Sequence, residues 1–265
     1  MRMMSIASGS SGNCIYIGSE NTHILIDAGV SRKRIAEGLK AVDLSLSDIS
    51  AIMVTHEHSD HISGLGVVSR KEEIPIYSTA GTIAGIEAST TLGEMPEGIC
   101  HTICADQDFT LNDLTIHPFH VSHDANEPVA FSVSCGAHRM GVITDLGKYD
   151  DYIVENMHGM EAILIEANHD VRMLQVGSYP YYLKQRILGE RGHLSNESSG
   201  RLLGELLNDD IKGVMLGHLS KENNYAELAY ETVRLEIDLG ECSYKAGDFP
   251  IAVASRSEHS DIIEV

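Results

Sequence analysis

Residues 55 to 61 read Thr-His-Glu-His-Ser-Asp-His, so the six positions from His56 to His61 hold the pattern His-x-His-x-Asp-His. Those groups, His56, His58, Asp60 and His61, are metal donors. Imidazole with carboxylate suits Zn²⁺, and Mn²⁺ or Fe²⁺ gain as carboxylates become more numerous. In an extended or tightly turned segment alternate residues share a side, so His56 and His58 can chelate one cation. Asp60 and His61, one step further on, can serve a second. A polar turn that is His-rich by accident does not require this spacing.

Such donors work only if rigid elements aim them, and the chain supplies the elements. The cluster follows the apolar strand Ala51 to Thr55. Comparable runs place Asp27 after Ile24-Leu25-Ile26, Asp145 after Val142-Ile143-Thr144, and His218 after Val214-Met215-Leu216-Gly217. An acid at a strand end is, taken singly, a turn former. Together these residues converge on one sheet edge, where α/β proteins build their sites. Strands are also expected at Met3 to Ala7, Cys14 to Ile17, His23 to Asp27, Ile74 to Tyr77, Leu114 to Phe119, Val129 to Cys135, Met140 to Thr144, Ala162 to Ile165 and Val214 to Leu216. Helices are expected from Ser31, as N-cap, to Lys40, over Ser195 to Leu207 and over Asn224 to Ile237. No repeat or low-complexity tract interrupts them. The expected architecture is layered α/β, two sheets packed inside helices, as one domain over 1–265.

Composition sets the limits on function. With 19 Lys+Arg against 39 Asp+Glu the formal charge is −20, spread along the chain, which excludes a broad basic surface for nucleic acid or anionic membrane. Any nucleic-acid chemistry must rest on local positive charge. No apolar run approaches the ~20 residues that span a bilayer. Met1 to Ser11 fits neither a secretory nor a transit signal, and five cysteines without a Cys-x-x-Cys pair argue against a disulfide framework, so a reducing cytoplasm is expected. The Ser/Gly loop Ser8 to Asn13 lacks the Lys-Ser/Thr ending of a phosphate-binding loop and reads as a tight hairpin turn.

The cluster, the earlier Asp27, and then His123, Asp145 and His218 in that order resemble the five motifs of the metallo-β-lactamase-fold hydrolases, and they cover most of the chain. Within that superfamily, SGSSGNC (8–14), LIDAGVSRK (25–33), VSHDANEPVAF (121–131), ITDLG (143–147), EANHD (166–170), YPYYLKQRILGERGHLSN (179–196) and GHLSKENN (217–224) are similar to the YycJ (WalJ) subfamily of Gram-positive bacteria. The resemblance implies a four-layer αββα sandwich and a 5′-to-3′ exonuclease related to RNase Z and to small phosphodiesterases. It also implies two divalent ions, zinc or manganese with iron as a third choice, which share a hydroxide that attacks phosphorus in line. His56, His58 and His123 would hold one ion, Asp60, His61 and His218 the other, with Asp145 bridging and Asp27 orienting a ligand from behind. His120 is the alternative to His123. Asp60, His193 and Glu166 carry the catalytic roles, His193 paired with Glu166 protonating the 3′-oxygen that leaves.

Asn168, His169, Ser195 and Asn196 are expected to contact substrate. Lys184, Arg186 and Arg191 form a local basic cluster, either a solvated face or part of the site. Partners are then single-stranded DNA or RNA 5′ ends, without a membrane. The alternative is hydrolysis of a small phosphodiester, thioester or lactone. Only 21 residues lie between His123 and Asp145 and 72 between Asp145 and His218, too few for an RNase Z clamping arm or the extra domain of β-CASP nucleases. The di-iron flavoprotein relatives carry Glu where this chain has His58, which weighs against a redox reading.

Overall fold

The computed structural model describes residues 1–265. The first half of the chain lays down β1 (Arg2–Ala7), β2 (Cys14–Gly18), β3 (His23–Ile26), β4 (Ala51–Met53), β5 (Ile76–Ser78) and β6 (Cys100–Thr102) as neighbours in one sheet. A second sheet holds β7 (Phe109–Leu111), β8 (Leu114–His120), β9 (Val129–Cys135), β10 (His138–Ile143), β11 (Ala162–Glu166), β12 (Gly213–Gly217) and β13 (Ile251–Val253). β14 (Ile263–Glu264) returns to the first sheet beside β1. Each sheet begins as an antiparallel meander and continues as parallel strands, β3 to β6 and β10 to β13.

Parallel neighbours need crossovers, and these supply the helices. α1 (Arg32–Leu39) joins β3 to β4, while α2 (Ser59–Ile62) and α3 (Leu65–Glu72) join β4 to β5, and α4 (Ala80–Ala88) joins β5 to β6. In the second sheet α5 (Asp151–Met157) precedes β11, α6 (Val171–Val176), α7 (Tyr181–Leu188) and α8 (Asn196–Leu206) precede β12, and α9 (Ala226–Leu239) precedes β13.

Alternation along the strands builds three apolar interfaces, hence four layers. Ile24 and Ile26 face the space between the sheets, where they meet Phe131, Val142 and Leu164, while Leu25 faces α1 and α3 with Ile35, Leu39 and Val68. In β11, Leu164 points between the sheets, and Ile163 and Ile165 pack with Leu202, Leu203 and Val233 of α8 and α9. Strands buried on both faces read as unbroken apolar runs, the property that made them visible in the sequence. The αββα arrangement expected from the resemblance is the one observed.

Two strands stop one residue short of their expected ends, for one reason. β3 closes at Ile26 and β10 at Ile143 because Asp27 and Asp145 turn to φ 63° and 57°, and His218 after β12 has φ 54°. In this left-handed region the chain leaves the sheet plane and throws the side chain off the strand end. Ser31 caps α1 as expected, and Ser195, expected as the first residue of α8, is its cap; they accept from the amides of Arg34 and Ser198. α9 begins at Ala226 rather than Asn224, whose side chain instead donates to the carbonyls of Ala167 and Asn168. α2 to α7 and the short strands β6, β7, β13 and β14 were not anticipated. They run from two to nine residues, too short for periodicity to emerge.

Candidate metal centre

All of the strand-end donors meet at the carboxyl ends of β3, β4, β10, β11 and β12. From β4 the chain runs extended through Thr55 and His56 to His58, then turns into α2, so Asp60 and His61 sit on a helical turn rather than on an extended strand. That turn separates the two pairs of donors in space. The ligand atoms of His56, His58 and His123 lie within 4.8 Å of one another, and so do those of Asp60, His61 and His218. Asp145 stands between the groups: its Oδ2 is 3.1 Å from His61 Nε2, and its Oδ1 is 3.6 Å from the Nε2 atoms of both His123 and His218. His120, the alternative to His123, is exposed at the end of β8 and belongs to neither group.

These residues fit a cation. Asp145 is buried, yet its Oδ2 makes no hydrogen bond, because the nearby His61 nitrogen is not aligned with it. His58 Nδ1 is 3.0 Å from His56 Nε2 and 3.2 Å from His123 Nε2, a convergence of nitrogens that ring protons alone cannot satisfy. An unpartnered buried carboxylate oxygen among converging imidazoles is costly without an ion and ready-made for one.

The electrostatics agree. Burial pushes His56 and His123 below the ordinary histidine range, leaving neutral rings with lone pairs to donate. Burial would raise Asp145, but His218, His61 and His56 hold it well below the carboxylate range. Burial would likewise lower His61, but Asp145 and Asp27 keep it well above its ordinary value, so a cation binding there displaces a proton.

Behind the donors lies a buried relay. His61 Nδ1 donates to Asp27 Oδ2 at 2.6 Å, and Asp27 Oδ1 accepts from the Thr55 amide at 2.8 Å. Thr55 Oγ1 lies 3.0 Å from His56 Nδ1 as well, tying the two donor groups to one hydroxyl. The Ser8 to Asn13 loop is the hairpin turn expected between β1 and β2, and it also braces the site. Asn13 Nδ2 is 3.2 Å from His61 Nε2, and Ser8 Oγ accepts from the His218 amide at 2.8 Å. The sequence places Thr55 at a strand end and Ser8 and Asn13 in a turn, and it gives no sign of their part in the site. If Asp27 fixes the ring of a ligand, Asp27→Asn should weaken divalent-ion affinity about tenfold or more in a calorimetric titration. Unchanged affinity would make Asp27 a packing residue only.

Glu166 and His193 meet at the rim. His193 Nδ1 donates to Glu166 Oε1 at 2.7 Å, and its ring is 17% exposed. Glu166 is fully buried; although burial opposes its ionisation, His193 and then His218 hold it at about 2. Its other oxygen accepts from the Leu146 amide at 2.8 Å. Burial would lower His193, but Glu166 raises it above its ordinary value.

The expected substrate contacts are tied into the loops around the site. Asn168, His169, Ser195 and Asn196 are all buried, at 3%, 1%, 8% and 0% exposure. Asn168 Nδ2 donates to the His218 carbonyl at 2.9 Å, Asn196 and Asn224 exchange amide bonds, and Ser195 caps α8. His169 pairs its backbone with Ser195 in a β-bridge, and burial pushes its ring down to about 4. These residues knit the loops after β11 and β12 to the start of α8, which carries His193 on its approach. The basic cluster is engaged within the chain too. Arg186 pairs with Asp124, Arg191 Nε donates to the His123 carbonyl at 3.0 Å, and Lys184 Nζ donates to the carbonyls of Gln175 and Gly177.

Comparison with known proteins bears on this arrangement. Residues 22–216 match the beta-lactamase superfamily domain. The chain is 38% identical over 228 residues to the exodeoxyribonuclease YycJ of Bacillus anthracis, covering 86% of each. It is 40% identical over 228 residues to the exodeoxyribonuclease WalJ of Streptococcus pneumoniae, covering 86% of this chain and 85% of that one. Among solved structures, Zn²⁺-bound PqqB from Methylobacterium extorquens superposes with TM-score 0.72 at 16% identity over 98% of this chain and 100% of the other. The short form of human tRNase Z superposes with TM-score 0.67 at 16% identity over 100% of both chains. At such identities the structures speak for the fold, and the sequence matches for the family. The chain therefore belongs to the beta-lactamase superfamily, as a metallo-β-lactamase-fold hydrolase of the YycJ type.

Proposed function

We propose that this hydrolase is a metal-dependent 5′-to-3′ exonuclease on single-stranded DNA ends, holding two divalent ions in its two donor groups. The observation that carries the reading is the His193–Glu166 pair bordering two donor groups that share Asp145. The sequence relatives named exodeoxyribonucleases, aligned over most of both chains, support the same class.

When bound, divalent ions in these groups supply a nucleophile by acidifying a water and neutralise charge on the phosphoryl oxygens. His56, His58 and His123 would hold one ion and Asp60, His61 and His218 the other, with Asp145 between. The protein's own residues do the rest. Asp27 and Thr55 fix the donor rings, so the site is organised before substrate arrives. Glu166 holds His193 by Nδ1 and keeps it protonated, which leaves the Nε2 proton for the departing 3′-oxygen.

The test is a chelator-stripped and reloaded protein offered single-stranded DNA labelled at either end, beside RNA and a thioester. Mononucleotides should leave from the 5′ label first, with activity lost on chelation and restored by zinc or manganese. Cleavage of the thioester alone, or nuclease activity starting from the 3′ end, would overturn the reading.

A further inference from the structure

The segment 171–192, which forms α6, α7 and their turn, is unlike the rest of the chain. α7 buries none of its residues, Tyr181 and Tyr182 stand 77% and 74% exposed, and Val176, which ends α6, is 86% exposed. Large apolar side chains grouped on one exposed element mark a contact surface rather than a core. Charge indicates what it contacts. The segment carries four cations, Arg172, Lys184, Arg186 and Arg191, and one carboxylate, Glu190, in a chain of formal charge −20. Glu190 is paired with Lys148 at 2.6 Å and Arg186 with Asp124, which leaves Arg172, Lys184 and Arg191 as the cations without a carboxylate partner.

Its attachment indicates where the contact lies. Arg186 pairs with Asp124, whose Oδ1 is 3.3 Å from His123 Nε2, and the Gly192 carbonyl accepts from His123 Nδ1 at 3.0 Å. Lys184 locks α7 back onto the carbonyls that end α6. Tyr182 and Arg186 are four residues apart on α7 and share a face, so Tyr182 stands one helical turn from a side chain that reaches the donor cluster. A polyanion with unpaired, flat bases is complementary to an arm that offers aromatic faces and net positive charge beside a metal centre. A duplex keeps its bases stacked and does not offer them.

We infer that the α6–α7 arm is a stacking platform for single-stranded DNA, which seats bases on Tyr181 and Tyr182 while the 5′ end lies at the donor cluster. The inference rests on the exonuclease reading for its substrate but not for its test, because binding is read separately from cleavage. Both tyrosines are exposed, so Y181A/Y182A should fold and keep its Tm.

Binding of a labelled oligothymidylate to chelated protein, followed by anisotropy, should weaken about tenfold or more in Y181A/Y182A. Y181W/Y182W should restore it, and the wild type should bind an abasic strand of equal length about as weakly as the alanine variant. With metal restored, the alanine variant should raise KM for the oligonucleotide far more than it lowers kcat. Equal binding by wild type and alanine variant, no distinction between base-bearing and abasic strands, or a change of oligomeric state in place of a binding loss would overturn the platform. Intact tyrosine-dependent binding by a wild type that cleaves no DNA would overturn the exonuclease reading and leave the platform standing.

Discussion

Asp145→Asn should lower kcat/KM on single-stranded DNA by about 10³-fold or more while the protein stays folded. The side chain lies between the two donor groups, within 3.6 Å of nitrogens from His61, His123 and His218, so loss of its charge is felt on both sides at once. Charge stabilisation at such a position is worth several kcal/mol in the transition state, which is about three decades of rate. Asparagine is the informative replacement. It keeps the shape and tolerates the left-handed backbone at φ 57°, so a loss of activity reflects chemistry rather than collapse. Metal content by mass spectrometry should fall with activity. A variant retaining both full metal content and more than about a tenth of the activity would show that Asp145 does not link the two groups.

His193→Ala should act unequally on two phosphodiester substrates, DNA and bis(p-nitrophenyl) phosphate. Expulsion of a sugar 3′-oxygen needs a proton, and removing a positioned general acid costs about 10²–10⁴-fold. A p-nitrophenolate leaves without that help. The variant should therefore lose its activity on DNA and keep most of its activity on bis(p-nitrophenyl) phosphate. Equal losses on both substrates would make His193 a binding or structural group. His193 is a better probe than Glu166, since Glu166 also holds the Leu146 amide and lies 3.2 Å from His218, so its removal disturbs more than the proton.

Much of this centre was legible in the residues alone, for a physical reason. Strands buried on both faces must be unbroken apolar runs, and a charged residue ending such a run has few reasons to be there, so Asp27, Asp145 and His218 stood out beside the His56 to His61 cluster. Thr55, Asn13 and Ser8 did not stand out, because short polar residues in a Ser/Gly loop are what any turn contains. Their role appears only when the chain returns: Ser8 meets His218 across 210 positions. The bracing by Asn168, Ser195 and Asn196 was hidden for the same reason, because two buried loops need polar side chains to satisfy each other's backbone and that need appears only once the loops meet. The separation of Asp60 and His61 from His56 and His58 also depended on a four-residue helix that periodicity cannot reveal.

The left-handed turns at Asp27, Asp145 and His218 bear on how such a protein can change over time. Each holds a non-glycine residue where the backbone resists it by roughly 1 kcal/mol, and each buries a group that water would solvate better. Glycine at Asp145 or His218 would relax the backbone and remove a buried carboxylate or imidazole, and on the proposed reading it would end the chemistry in the same step. The conformations that make this scaffold an enzyme are thus those from which it is most easily released. Relief of backbone strain and loss of function would then coincide at these positions, so selection for turnover is what keeps non-glycine residues there.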